Sequence, residues 1–457
     1  MPTKPENSWV NEEMKKLDLP DERLEDRTRK IISDFSQNPT ASIPQFCGDR
    51  AATKGAYGYC QNTAVDRAAI VEAQRQATLE RLRAGQYQRV LAVQDTTEYT
   101  YSHHPATEGL GPLDNAKVKG FFAHSTLAVT TEGVPLGLLA QEVWVREETE
   151  PPPAPNRPIE AKESYKWLKA LHDSSRNLPA DLQVIQVSDQ ESDLYEYLVE
   201  PRRAQVELLV RSYQTREVMD EQKEVRAKLH TSPVRGKVEV EVRQTSDRPA
   251  RTATCQVYYD RVKIRPPRPR PGLPPDLKPV TLWAVLIREM NPPPGVEGLE
   301  WLLLTTLEVL NFDQACEIIH YYTLRWLVER FHFVLKSGCG LEDRQLRTAD
   351  RLQRFLALAN VVAWRLLWLT YLGRGRPDLA CTVAFEEYEW KALYAYVHKT
   401  AILPQTPPTL QQATLWVAQL GGFLGRKGDG YPGVKVLWRG WSRLVDIVQT
   451  WLIFNPT

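Results

Sequence analysis

Tyr322, Arg325, Glu329 and Lys336 are the side chains of this sequence best suited to phosphate and metal chemistry. They lie in "YYTLRWLVERFHFVLKSG", residues 321–338, which reads as one amphipathic helix. At about 100° per residue, with Tyr322 at 0°, Arg325, Glu329 and Lys336 fall at about 300°, 340° and 320°. All four share a sector about 60° wide. One reading is an Arg325–Glu329 pair on a solvated face, contributing about 0.3–0.5 kcal/mol. The aromatic content of the helix favours a core-facing position instead. There a carboxylate amid a guanidinium, an ammonium and a phenol suits a metal ligand among phosphate-binding groups: Arg forks phosphate oxygens, Lys adds a point charge and Tyr donates one hydrogen bond.

A metal site needs more carboxylates. Asp95 closes the apolar run "VLAVQD", and Asp189 closes "QVIQVSD". Singly, either could cap a turn. Adjacent strands can also set two such carboxylates side by side, and a Glu from a packed helix completes a group that holds two Mg²⁺ ions by oxygen ligands. Two ions about 3.5–4 Å apart clamp the attacking and leaving oxygens of a phosphoryl transfer. Chain spacing alone leaves both readings open.

The elements that must position these residues can be read along the chain. At 457 residues it exceeds one ordinary domain and suggests about three. Its apolar content of 42% and charged content of 25% are those of a globular protein. The six cysteines are scattered with no CxxC pair, against a zinc site or a secreted disulfide framework. No apolar run reaches the roughly 18 residues that would suggest a membrane span, and the start lacks an apolar signal core. A soluble protein of a reducing compartment is expected, without membrane contact.

Residues 1 to about 70 look helical and polar, with Arg23, Arg27, Arg29 and Lys30 around an apolar stripe in "LPDERLEDRTRKIISDF". "AAIVEAQRQATLERLRAGQ" predicts a helix closed by Gly85. "RVLAVQDTTEYTYS", "STLAVTT" and "VPLGLLAQEVWV" predict three strands joined by short connections, hence an antiparallel part. Then come the helix "ESYKWLKALHDSSRNL", the strand "LQVIQVSD", the short helix "SDLYEYLVE" and the strand "QVELLVRS". Strands with interleaved helices mean an α/β sheet with parallel crossovers. Between 213 and about 300 three alternating stretches and the Pro/Arg loop "RPPRPRPGLPPDLKP" suggest a β-rich basic insertion. Lys and Arg exceed Asp and Glu by about eight between 201 and 280, although the whole chain has a net charge of +1. From about 345 the chain reads as helical to its Trp-rich end, a helical core or a dimer contact.

Several of these segments closely resemble the bacterial cut-and-paste DDE transposases of the Tn-five (IS-four) family. That family's third-acid motif, Tyr-x2-Arg-x3-Glu-x6-Lys, is met without a gap by Tyr322, Arg325, Glu329 and Lys336. "QDTTEYTYSHH" and "SDQESD" are similar to its first and second acid motifs. "LPDERLEDR", "GAYGYCQN", "LLVRS", "RPARTA", "REMNPPPG", "WLLLTTLEVL", "AQLGGFLGRKGDG" and "LWRGW" extend the likeness over nearly the whole chain.

The resemblance implies an α/β fold: an RNase H-like mixed-sheet catalytic core with a β-rich insertion, flanked by helical N- and C-terminal domains. Residues 1–70 would bind the DNA end, 71–370 would be catalytic with the insertion at about 213–300, and 371–457 would dimerise. Asp95, Asp189 and Glu329 would be the metal-binding catalytic acids, holding two Mg²⁺ ions for which Mn²⁺ substitutes. Tyr322, Arg325 and Lys336 would hold the strand near the cut, with Arg211 a further DNA contact. Trp301 would form a pocket for a flipped base, although its position before "LLLT" alone would make it core, and Trp326 is the neighbouring aromatic of the helix motif. Arg23 and Arg27 match the basic motif that reads the transposon end. The implied partners are double-stranded DNA, as transposon ends and target, and a second copy in a synaptic homodimer. The place of action would be the bacterial cytoplasm, on the nucleoid when DNA is bound. Gln190, Phe333 and Leu24 depart from the family pattern, which bears on end-binding strength and sequence preference. Alternatives are an RNase H-like nuclease without strand transfer and a transposase-derived non-catalytic DNA-binding protein; the intact acids argue against the second.

Overall fold

The computed structural model of the chain describes residues 8–148, 157–221, 224–242, 249–269, 271–273 and 276–455. The opening residues 1–7, Arg248 of "RPARTA" and Arg270 of the Pro/Arg loop lie outside the described residues. Helices come first: α1 (Ser8–Glu13), α2 (Glu22–Gln37), α3 (Ile43–Cys47), α4 (Arg50–Gln61) and α5 (Arg67–Ala84). Asp21, Asp49 and Asp66 start α2, α4 and α5 by accepting an otherwise unpaired backbone N–H. Strands β1 (Arg89–Thr100), β2 (Gly111–Pro112), β3 (Lys119–Thr130) and β4 (Pro135–Trp144) follow, then α6 (Tyr165–Ser174), β5 (Gln183–Ser188), α7 (Tyr195–Val199) and β6 (Val206–Ser212). The basic stretch supplies α8 (Val225–Thr231), β7 (Gly236–Val242), β8 (Arg251–Ile264) and β9 (Val280–Glu289), and β10 (Glu300–Thr305) comes next. The helices α9 (Phe312–Leu324), α10 (Trp326–Phe333), α11 (Ala349–Gly375), α12 (Glu387–His398), α13 (Leu410–Leu420) and α14 (Val434–Phe454) complete the described chain.

The chain divides into two compact units. One comprises Tyr87–Asp95 and Thr149–Trp326. In it the first half of β1 pairs in parallel with β5, and β5 with β6. Parallel neighbours need crossovers, and α6 and α7 precede β5 and β6 accordingly. Val90–Val93, Val184, Ile185 and Leu208–Val210 are all buried, the near-continuous apolar run of strands covered on both faces. Strand β6 then pairs antiparallel with β10, and β9, β8 and β7 follow as antiparallel neighbours. The β-rich insertion is therefore no separate module. It extends the sheet through the β9–β10 ladder, from Glu300↔Arg288 to Thr305↔Trp283.

The other unit comprises Met1–Gln86, Thr96–Glu148 and Leu327–Thr457. Here β3 pairs antiparallel with β4 and with the short β2. Helix α11 is its axis, packing on α2, α4, α5, β4, α13 and α14. It is long and apolar enough to match a membrane span by composition, yet 78% of that apolar window is buried inside the unit, as in a core helix. Arg354 ties it to the α4–α5 connection through the carbonyls of Val65 and Cys60. In α12–α14 a cluster including Trp390, Leu393, Val417, Leu437 and Leu444 forms the core, with Trp416, Trp441 and Trp451 packed on it. Gly440 lets α14 lie directly on α13, because a Cβ there would come within 1.7 Å of the Val417 carbonyl oxygen.

Candidate active site

The parallel register positions the two aspartates. Pairs run from Arg89↔Gln183 to Val93↔Val187, and Asp95 and Asp189 each come two positions after the last pair, Asp189 just past the end of β5. Neighbouring strands lie about 4.8 Å apart, so the ends of this ladder bring the two acidic positions close in the chain's fold. Asp189 keeps an extended backbone (φ −86°, ψ −168°) and caps the 3₁₀ turn Gln190–Ser192, accepting the Glu191 N–H at 2.9 Å. Burial pushes its carboxyl above the ordinary value, opposed by the Arg325 guanidinium and the Glu191 N–H. Arg325 reaches Asp95 at 3.5 Å, both side chains more than four-fifths shielded. Lys166 donates to Glu191 at 3.0 Å and adds positive charge near Asp189.

Tyr322 is buried, and Arg211 on β6 hydrogen-bonds to it. Burial pushes the phenol up from its ordinary value, against the charges of Arg325 and Arg211. The Trp301 ring stands edge-on to Tyr322, centroids 5.0 Å apart at 71°. Strand pairing explains the grouping: Arg211 lies opposite Leu303, two positions from Trp301 on β10. Asp95, Asp189, Arg211, Trp301, Tyr322, Arg325 and Trp326 thus all fall in the first unit.

The expected single helix over 321–338 is interrupted. Arg325 links α9 to α10, its N–H bonding the Tyr322 carbonyl at 3.1 Å in a tighter, three-residue step. Beyond α10 the chain widens into a π turn, Val334–Gly338, closed by the Cys339 N–H on the Val334 carbonyl at 2.7 Å. The widening occurs where Gly338 meets the Trp438 ring, 2.8 Å from where a Cβ would stand. The uniform 100° spacing derived for Lys336 therefore does not hold. Glu329, half-buried, lies in the first turn of α10, and Lys336 in the π turn with its ammonium 5.6 Å from the Tyr99 ring centroid. Both fall in the second unit, as do Arg23 and Arg27, one turn apart on α2. Arg23 is exposed, while the Arg27 guanidinium lies over Gly55 of α4.

Three family models match the chain. "Transposase DNA-binding" covers residues 6–65, "Transposase DDE domain" 160–365 and "Transposase Tn5 dimerisation domain" 361–451. The chain belongs to the Tn-five (IS-four) family of DDE transposases. Its mixed sheet with interleaved helices is the RNase H-like fold of the DDE domain. It is a DNA transposase with DNA-binding and dimerisation regions.

The family implies dependence on a divalent metal. The donor chemistry at hand suits a hard cation: Asp95 on β1 and Asp189 just past the end of β5 both offer carboxylate oxygens in the first unit. Among the described residues no cluster of three or more His, Cys, Asp or Glu side chains is close enough to hold a metal ion.

Sequence reasoning missed the groups behind the aspartates in this transposase. Gln94 and Gln186, fully buried in apolar strands, bond each other at 3.1 Å. Gln94 also donates to Tyr197 at 2.9 Å, and Tyr197 hydrogen-bonds with Ser188. Ser188 meets Ser192, which donates to the Asp189 carbonyl at 2.7 Å. A satisfied buried network of this kind disfavours register slip. Its signal was two glutamines in otherwise apolar runs.

Proposed function

We propose that this transposase excises a transposon and inserts it elsewhere by cut-and-paste chemistry, with Asp95, Asp189 and Glu329 as its catalytic metal ligands. The observation that carries the reading is the parallel β1–β5 ladder that ends two residues before both Asp95 and Asp189, with Arg325 against the first and the Arg211–Tyr322 pair in the same unit. Two Mg²⁺ ions, or Mn²⁺, would neutralise the oxygens between which the phosphoryl group passes. The protein's own residues bind and aim the strand. Arg211, Arg325 and Lys336 hold phosphate oxygens, and Tyr322 donates one hydrogen bond.

Water attacks at each transposon end and frees a 3′-OH. That 3′-OH attacks the opposite strand and leaves a hairpin on the transposon end. A second water opens the hairpin, and the 3′-OH then attacks target DNA. Trp301 receives the base that must leave the stack for the strand to bend, and Trp326, the neighbouring aromatic of the helix motif, is a further DNA contact. Residues 1–70 recognise the end through Arg23 and Arg27, 71–370 perform the chemistry, and 371–457 join two copies. A two-fold dimer is the natural assembly for pairing two ends. The work is done in the cytoplasm, on the nucleoid.

The test uses end-labelled DNA carrying the inverted repeats that flank the gene. Nicks, then hairpins, then strand-transfer products with Mg²⁺ support the reading. Nicks without hairpins or joined products would leave a nuclease.

A further inference from the structure

Asp193 is a buried carboxylate that the scheme above leaves unused. It ends the short turn begun by Asp189, and its side chain is wholly shielded from solvent. One carboxylate oxygen accepts the Ser212 hydroxyl at 2.9 Å and the backbone N–H groups of Tyr213 and Gln214 at 3.0 and 2.8 Å. The other accepts Arg216 through Nε at 3.0 Å and Nη2 at 2.6 Å. Arg216 also donates to the Asp193 carbonyl. A buried charge is tolerated when its lone pairs are filled in this way.

Every one of these donors comes from residues 212–216, directly after Arg211. The chain leaving β6 is thus wrapped around a carboxylate four residues beyond Asp189. From another side Arg226 donates to the Ser212 carbonyl at 3.3 Å and pairs with Glu300 on β10, next to Trp301. A turn needs one acceptor to close. Here a single carboxylate ties the turn that presents Asp189 to the strand end that presents Arg211.

We propose that Asp193 is a positioning residue that sets the Arg211 guanidinium, and the phosphate it holds, at a fixed distance from the Asp189 carboxylate. The assignment rests on the reaction proposed above.

Asp193→Asn keeps the size of the side chain but turns an acceptor into a donor facing other donors. It is expected to bind end DNA within about twofold of wild type and to nick on the order of 10- to 100-fold more slowly in single turnover, the usual loss from a displaced supporting residue. The deciding readout is a double-mutant cycle with Arg211→Ala. If Asp193 acts through Arg211, adding Asp193→Asn to Arg211→Ala slows nicking less than about threefold further. Losses that multiply in full overturn the proposal and make Asp193 a general fold residue. Ser212→Ala, which leaves the buried ion pair intact, covers the case in which Asp193→Asn shows no melting transition. It is expected to slow nicking about three- to tenfold alone and not at all in the Arg211→Ala background; a full loss in both backgrounds again overturns the proposal. A wild-type protein that does not nick would overturn the underlying reaction instead.

Discussion

The arginines near the aspartates and those on α2 are held in opposite ways. Arg325 is largely shielded and lies against Asp95, and Arg211 is bonded to a buried phenol. Arg23 stands exposed on α2, and Arg27 rests on the glycine face of α4. Charges that must meet an oxyanion in one geometry act best when aimed beforehand, because no reorganisation is then needed at the moment of reaction. Charges that only gather a duplex act through counterion release, which tolerates movement. Damage to the first set should therefore appear in rate, and damage to the second in affinity and salt dependence.

The largest effect tests the acids. Asp95→Ala, Asp189→Ala and Glu329→Ala should each bring nicking with Mg²⁺ down to background while end-DNA binding survives, since affinity comes mostly from phosphate contacts. A gel-shift titration beside a nicking assay makes the check. Any one variant cutting at near wild-type rate removes that residue from the triad.

Next comes Arg325→Ala. It removes a pre-aimed cation that lies against Asp95 and acts on Asp189, so nicking should slow on the order of 10²- to 10³-fold. Arg325→Lys should recover only part of the loss, because an ammonium cannot fork a phosphate. Equal rates for Arg and Lys at this position would mean that charge alone matters there, and the contrast with α2 would collapse.

A smaller effect is expected at Trp301. Stacking a flipped base on an aromatic ring contributes roughly 1–3 kcal/mol, which helps offset the unstacking needed to bend the strand. Trp301→Ala should nick nearly normally yet convert nicks to hairpins about tenfold more slowly. A denaturing-gel time course separates the two steps. If both fall together, Trp301 serves the packing of Tyr322, whose ring it touches.

These residues differ in how visible they were in the sequence. Asp95 and Asp189 could be picked out because each ends an apolar run, and the parallel strands follow from the same runs. The attachment of the insertion to β10 could not be read, since strand pairing across a loop leaves no local trace. Helix α8 escaped because only Val225 and Leu229, one turn apart, mark its buried side. The π turn at Val334–Gly338 occurs where Gly338 meets Trp438, a partner a hundred residues away in sequence, so the sequence around it carries no local sign of the break. Asp193 was visible in "SDQESD", but its donors become neighbours only when β6 lies beside β5.

The smallest effect sharpens the other side of the comparison. Neutralising Arg23 and Arg27 together should leave single-turnover nicking of saturated complexes unchanged and weaken end binding. Each cation removed from a phosphate lowers the slope of log affinity against log salt by about 0.9, so removing two changes it by about 1.8. Across a fourfold rise in salt, wild-type affinity should then fall about tenfold more than that of the double variant, so the two curves approach each other. Binding isotherms at four salt concentrations measure the slope directly. Parallel curves with reduced affinity would mean that the two arginines act through α2–α4 packing, where Arg27 covers Gly55. Identical curves would move the end reader away from α2.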